Sequence, residues 1–264
     1  MPEHEDAPAP PPAAVAVFGA AIGLAERYAG LLAGPGVERG LLGPAEAARI
    51  WDRHLLNCAA LAELVPSPSS LIDLGSGAGL PGLVLAMLLP EVTVTLLEPM
   101  ARRVTFLQEC IQILGVSNAE VRRGRAEDVA GQLAADVVTA RAVAPMDRLA
   151  GLAIGLLKPG GLVLAVKGAG AEEEVSRARP VLRRLGARDV EVLQVGGSSV
   201  NPAATVVRFR AGARAGRAVR SGAPGSRGAA GGSELRPGGA GIAGRGGGSP
   251  RRAGPGRGGR RGPG

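Results

Sequence analysis

The stretch Leu71-Ile72-Asp73-Leu74-Gly75-Ser76-Gly77-Ala78-Gly79-Leu80-Pro81-Gly82 decides how the chain is read: a short apolar run enters a glycine-rich turn and leaves it into a helical pattern. Glycine adopts positive φ and lets the backbone approach a ligand where a side chain would clash. Such a turn at the carboxyl end of a first strand predicts a cofactor pocket at that edge of a sheet. Glu98 ends the next apolar run, 23 residues after Gly75, where a carboxylate can accept both hydroxyl hydrogens of a ribose.

The turn has two registers. From Gly77 it satisfies G-x-G-x-x-G, with Glu98 at the distance of a ribose-binding acid, a pattern that permits NAD. From Asp73 it reads D-x-G-x-G-x-G, the loop of enzymes that bind S-adenosylmethionine; there the acid serves the cationic methionine moiety or orders the turn. A tight turn without a ligand is the third possibility.

Around this stretch, short apolar runs alternate with helix-length amphipathic segments: 71–74, 93–97, 120–122, 136–139, 162–166, 189–195 and 204–209. Alternation of this kind predicts an α/β fold with a parallel sheet covered on both faces. The last two runs are joined by 196–202, too short for a crossover helix, so they should pair as an antiparallel hairpin. Seven strands, mostly parallel and ending in such a hairpin, are expected over 67–211. Upstream, 13–32 and 44–64 are rich in Ala and Leu and read as helices of an N-terminal cap over 13–66, the second opened by Pro44. Residues 1–12 hold five prolines and are expected to be disordered. So is the Gly/Arg-rich tail, 212–264, which has 20 of the 43 glycines.

Composition narrows the function. Aromatic residues are 2% of the 264, which nearly excludes a base-stacking platform of Phe, Tyr and Trp. Two cysteines, Cys58 and Cys110, are too few for a disulfide scaffold or a four-thiolate metal site, so no metal and a reducing, cytoplasmic setting are expected. No run approaches the roughly 18 to 20 uninterrupted apolar residues of a membrane helix. The net charge of +8 sits in the tail, where eleven Arg meet one acid, leaving the body at about −2. Repeated Arg-Gly-Gly there could associate with RNA through counterion release.

Downstream of the turn, the chain resembles the bacterial small-subunit rRNA guanine-N7 methyltransferases, once called glucose-inhibited division protein B. The resemblance runs from about Ala45 to Arg210. It rests on Arg53-His54-Leu55-Leu56-Asn57-Cys58, on Gly75 to Gly82 with its Leu80-Pro81-Gly82 ending, on Leu97-Glu98-Pro99 followed by Arg102 to Leu107, and on Arg125-Ala126-Glu127-Asp128, Thr139 to Ala144 and Val166-Lys167-Gly168. Asn57 and Cys58 stand where many members have Asp and Ser.

The resemblance implies a class I S-adenosylmethionine-dependent methyltransferase with a Rossmann-like fold, acting on N7 of a guanine in the decoding-region loop of 16S rRNA. It implies that Gly75 and Leu80 line the cofactor site, with Asp73, Gly77 and Gly79 among the cofactor-binding residues, that Ala126 and Glu127 flank adenine, that Glu98 holds ribose, and that Arg141 lies at the pocket mouth. Guanine N7 already presents a lone pair, so the reaction needs proximity rather than a strong general base. An Asn/Asp-Pro-Pro-aromatic loop, usual for exocyclic amines, is replaced here by Arg141-Ala142-Val143-Ala144-Pro145. Cytosine C5 methylation needs a nucleophilic cysteine on a mobile loop, whereas Cys58 and Cys110 fall within helical patterns.

Arg141 is expected to pair with the O6 edge of guanine or grip a phosphate, and Lys167, at the end of the fifth strand, to contact phosphate. Arg125, His54, Arg102 and Arg103 are candidate RNA contacts, each with a plain alternative as a core or solvated residue. The expected partner is 16S rRNA, free or within the small ribosomal subunit, bound by a monomer without membrane attachment. The alternatives are a methyltransferase for another nucleic acid or a small molecule, and a noncatalytic RNA-binding module on the same fold.

Overall fold

A computed structural model describes residues 7–197 and 203–212. Seven strands form one sheet: β1 (Ser69–Leu74), β2 (Val92–Glu98), β3 (Ala119–Arg123), β4 (Ala135–Arg141), β5 (Leu157–Lys167), β6 (Arg188–Val195) and β7 (Ala204–Arg210). Their order is β3-β2-β1-β4-β5-β7-β6. The first five run parallel, and β7 lies antiparallel between β5 and β6. The strands and the final hairpin agree with the sequence reading. The glycine turn follows the central strand, where the sheet order reverses, which is where α/β sheets open a crevice for ligands.

Side chains alternate across a strand, and that alternation divides the core in two. Leu71, Val92, Val94, Leu96, Val137, Leu162, Leu164 and Val206 pack with the cap and with helices α4 (Gly82–Leu88) and α5 (Ala101–Leu114). Ile72, Leu74, Val138, Ala140, Val163, Ala165, Val207 and Phe209 pack on the other face with α6 (Ala126–Val129), α7 (Met146–Ile154) and α8 (Ala171–Leu185). By the same count Asp73 and Arg141 belong to the cap face, whereas Lys167 belongs to the α8 face.

The cap is helical as expected, but neither run is a uniform α-helix. The first passes from α1 (Pro12–Phe18) through a 3₁₀ turn to α2 (Ile22–Leu31) and a π-helical turn, Leu32–Gly36. Pro35 lacks the N–H that a regular ladder needs. The second passes from a 3₁₀ helix, Pro44–Arg49, to a π-helical stretch, Ile50–Leu56, then α3 (Asn57–Ala59) and a 3₁₀ helix, Ala60–Leu64. Wide turns of this sort concentrate at functional sites, and this one carries His54.

The structure corrects the amino-terminal boundary. Pro12 already opens α1, and Trp51 Nε1 donates to the Pro8 carbonyl at 2.6 Å, so residues 7–12 are fastened to the cap rather than disordered. A 25-residue helical run, Pro12–Gly36, is also long and apolar enough to cross a membrane by length and composition alone. Its Ala25, Tyr28, Ala29 and Leu32 are instead buried against the sheet core. The predicted tail from 213 onward lies outside the described residues, as do residues 1–6.

Candidate active site

Strand β1 delivers the chain into the turn with Asp73 fully buried. Gly82 N donates to Asp73 Oδ2 at 3.0 Å, and Ser76 Oγ donates to the Asp73 carbonyl at 2.9 Å. Of the two roles expected of Asp73, this geometry supports ordering the turn. Its Oδ1 is buried with no partner. Burial raises the Asp73 pKa to about 7, against the lowering pull of the Gly82 and Ser76 hydrogen bonds and of Arg141.

The glycines are required by space at two points. Gly75 has φ 69°, and a Cβ there would stand 2.9 Å from Val143 Cγ2. Gly79 has φ 98°, and a Cβ would stand 2.7 Å from the Tyr28 hydroxyl. That hydroxyl, on α2, donates to the Ala78 carbonyl at 2.6 Å, so the cap holds the turn by a buried hydrogen bond. Sequence reasoning missed Tyr28. It is the chain's only tyrosine, and a buried phenol needs a polar partner, which was the available signal.

Glu98 ends β2 with only 1% of its side chain exposed. Gly77 N donates to its Oε2 at 2.9 Å and Met100 N to its Oε1 at 3.0 Å, so it braces the glycine turn from the neighbouring strand. Each oxygen keeps a second lone pair for a ribose hydroxyl. Arg103 Nη1 lies 3.7 Å from Glu98 Oε2, which makes Arg103 a neighbour of this acid rather than a freely solvated arginine; Arg102 beside it is exposed.

Two cavities open at this edge. The smaller, about 240 Å³, is walled by Gly75, Leu97, Pro99, Ala126 and Val143, with Arg125 and Glu127 also lining it. Glu127 is half exposed and faces Arg148 at 3.8 Å. Gly77, Gly79 and Glu98 do not line this cavity, and Leu80, expected on the cofactor site, is instead turned into the core, where its apolar side chain is buried. The larger, about 580 Å³, lies between the cap segment 41–57 and the ends of β4 and β5, and Arg141 and Lys167 line it. The chain from Arg141 to Val143 divides the two, with Ala142 on the larger and Val143 on the smaller.

Arg141 reaches from β4 under the cap. Its Nη2 donates to His54 Nδ1 at 2.5 Å, and its Nη1 lies 3.4 Å from the Arg53 carbonyl and 3.5 Å from Cys58 Sγ. His54 Nε2 lies 2.7 Å from Glu46 Oε2. Arginine only donates, so Nδ1 must accept and the proton must sit on Nε2, directed at Glu46. His54 is therefore a neutral imidazole with both nitrogens engaged. Burial, followed by the Arg141 charge, lowers its pKa, in keeping with that state.

Lys167 behaves differently from expectation. Its Nζ donates to Glu174 Oε1 at 2.8 Å and to the Ala144 carbonyl at 2.9 Å, and only 11% of its side chain is exposed. Strand alternation turns it toward α8, where it fastens the segment after β4; that the acid seven residues on, across the turn into α8, is its partner was not legible in the sequence. Cys58 and Cys110 are buried and unpaired, and burial raises their pKa values to about 11 and about 12, so both are inert thiols at neutral pH. Among the described residues no group of His, Cys, Asp and Glu could hold a metal ion.

The comparisons with known proteins turn this geometry into a family. Residues 21–201 match the GidB family, rRNA small subunit methyltransferase G. The chain belongs to this family. It is 54% identical over 199 residues to the ribosomal RNA small subunit methyltransferase G of Thermobifida fusca, covering 75% of this chain and 84% of that one. To the protein of that name from Mycobacterium sp. (strain JLS) it is 55% identical over 207 residues, covering 76% and 91%. Among solved structures it is similar to an S-adenosylmethionine-dependent O-methyltransferase from Thermotoga maritima, with 16% identity, 60% and 65% coverage and a TM-score of 0.49.

Membership makes the chain an S-adenosylmethionine-dependent rRNA methyltransferase. The residues present fit the cofactor. Gly75 lines the smaller cavity without a side chain, Leu97, Pro99 and Ala126 give that cavity apolar walls for a purine, and the buried carboxylate of Glu98 stands beside it at the end of β2.

Proposed function

We propose that the enzyme methylates N7 of a guanine in the decoding-region loop of 16S rRNA, with the cofactor in the smaller cavity and the guanine nucleotide turned out of the RNA into the larger one. The observation that carries this reading is the state of His54. The neutral nitrogen base on the wall of the larger cavity has both ring nitrogens engaged, so the site suits an acceptor that needs no deprotonation. Guanine N7 is such an acceptor.

Bound S-adenosylmethionine supplies a methyl group on a sulfonium. Glu98 would hold the ribose, Gly75 the close-approaching backbone, and Ala126 with Glu127 the adenine edge. Asp73 keeps the turn closed through Gly82. Arg141 presents donors to the O6 edge of the base or to its phosphate, and the cap excludes water above β4. Arg102 and Arg125, exposed near the ends of β2 and β3, would meet RNA phosphates. The reading takes 13–66 as cap and 67–211 as the methyltransferase domain of a cytoplasmic monomer that meets its rRNA in the small subunit or an assembly intermediate.

Titration with S-adenosylmethionine and with NADH tests the cofactor, and binding confined to NADH refutes it. Borohydride and aniline cleavage of rRNA from wild-type and deletion strains tests the acceptor: loss of one cleavage in the decoding-region loop is expected, and its persistence there refutes the target.

A further inference from the structure

The larger cavity carries more information than a place for a base. Along one wall Arg141, His54 and Glu46 stand in a hydrogen-bonded row, with Arg141 at the β4 end and Glu46 on the cap helix Pro44–Arg49. His54 is saturated, so the row offers a ligand only its two ends. One end is a guanidinium with further N–H donors. The other is a carboxylate whose Oε1 receives Arg53 Nη1 at 3.0 Å and whose Oε2 receives His54, leaving a lone pair on each oxygen and about a quarter of the side chain exposed.

This order of donor then acceptor is chemically selective. Passing from N7 along its edge, guanine shows the O6 acceptor, then the N1–H and N2 amino donors. Adenine shows an amino donor and then an acceptor, the reverse. We infer that Glu46 is a specificity-determining residue of this enzyme, its carboxylate accepting the N1–H and N2 amino hydrogens of the acceptor guanine while Arg141 donates to O6. The inference rests on the guanine reading above and adds the residue that enforces it. His54 acts as a positioning residue: its Nε2–H holds the Glu46 acceptor at one end of the row and its Nδ1 orients the Arg141 donor at the other. Arg49 and Arg53 are more than 40% exposed at the cavity rim and add positive charge where the flanking phosphates would lie.

The test removes one donor from the base and one acceptor from the protein. Small subunits are reconstituted with rRNA carrying guanosine or inosine, which lacks the N2 amino group, at the methylated nucleotide. Wild-type enzyme should favour guanosine by about 10- to 100-fold in kcat/KM, the range for a hydrogen bond to a charged group. In Glu46→Gln the amide oxygen must face His54 Nε2–H, which turns the amide NH₂ toward the base, and the preference should fall to within about threefold. Glu46→Asp, which keeps the charge with a shorter reach, should also narrow it and serves if the amide variant melts below the assay temperature. A guanosine preference unchanged in both variants overturns the assignment, as does its absence in the wild type. A wild-type product that resists borohydride and aniline cleavage refutes the N7 reading instead.

Discussion

Replacing Tyr28 with Phe removes one oxygen and nothing else, and the structure says what that oxygen does. The hydroxyl is fully buried and donates at 2.6 Å to the carbonyl of Ala78, between two glycines that both have positive φ. Burial, aided by nearby Cys110 and Cys58, raises the phenol pKa, so it remains a donor over the whole working pH range. The substitution leaves a buried carbonyl without its partner, at a cost of about 1–3 kcal/mol. For a domain near 200 residues that is a fall in Tm of about 2–12 °C. Because the lost bond held the cofactor turn rather than the sheet, the dissociation constant for S-adenosylmethionine should rise while rRNA affinity stays constant. Differential scanning calorimetry and isothermal titration read the two effects. Gly79→Ala provides an internal check, since its Cβ would meet both the Tyr28 hydroxyl at 2.7 Å and Leu83 Cδ1 at 2.6 Å. Adding Tyr28→Phe to Gly79→Ala should cost less than it does alone, because the hydroxyl is then one of the clashing atoms. A Tm within 1 °C of wild type and an unaltered dissociation constant would refute the claim that the cap clamps this turn.

Three further outcomes follow from the same geometry. Asp73 is raised from its ordinary value of 3.8 to about 7, so the folded state binds more protons than the unfolded state between those values, and stability should fall as pH rises from about 4 through 7. The displacement sets a ceiling of roughly 4 kcal/mol; urea unfolding at pH 5 and pH 8 should show the fall in the wild type and a flatter profile in Asp73→Asn, and identical profiles would contradict it. Lys167→Met should lower kcat about tenfold by loosening the segment after β4, with the salt dependence of rRNA binding intact; a decrease of about one ion in that slope would make Lys167 a phosphate contact. Gly82→Ala places a Cβ 2.4 Å from Leu96 Cδ2 and 2.6 Å from Asp73 Oδ2, and should destabilise by about 1–3 kcal/mol in a denaturant melt, an effect absent if α4 can simply recede.

The glycine turn, the seven strands and the final hairpin were legible because each depends on local pattern: apolar alternation, glycine at forced backbone angles, and a connection too short for a helix. Glu98, at the end of β2, was legible for the same reason. The site's second half was not. Glu46 and His54 are eight residues apart, but Arg141 comes 87 residues after His54, and only the packing of the cap on the sheet brings the three into a row. Strand parity carried a partial signal, since Arg141 shares a face with Val137 and Lys167 shares one with Val163. It does not say what waits on either face.

Sequence alone determined where the chain turns, which segments pair and which edge of the sheet carries the glycine turn, because those features arise from the preferences of neighbouring residues and from burial on two faces. Tertiary structure alone decided which charges are free. It gave Lys167 to Glu174, bound Arg103 near Glu98, neutralised His54 between Arg141 and Glu46, and set Tyr28 on the glycine turn. A charged or polar side chain acquires its role from whatever partner shares its buried volume, and that partner is chosen by packing across the chain rather than along it.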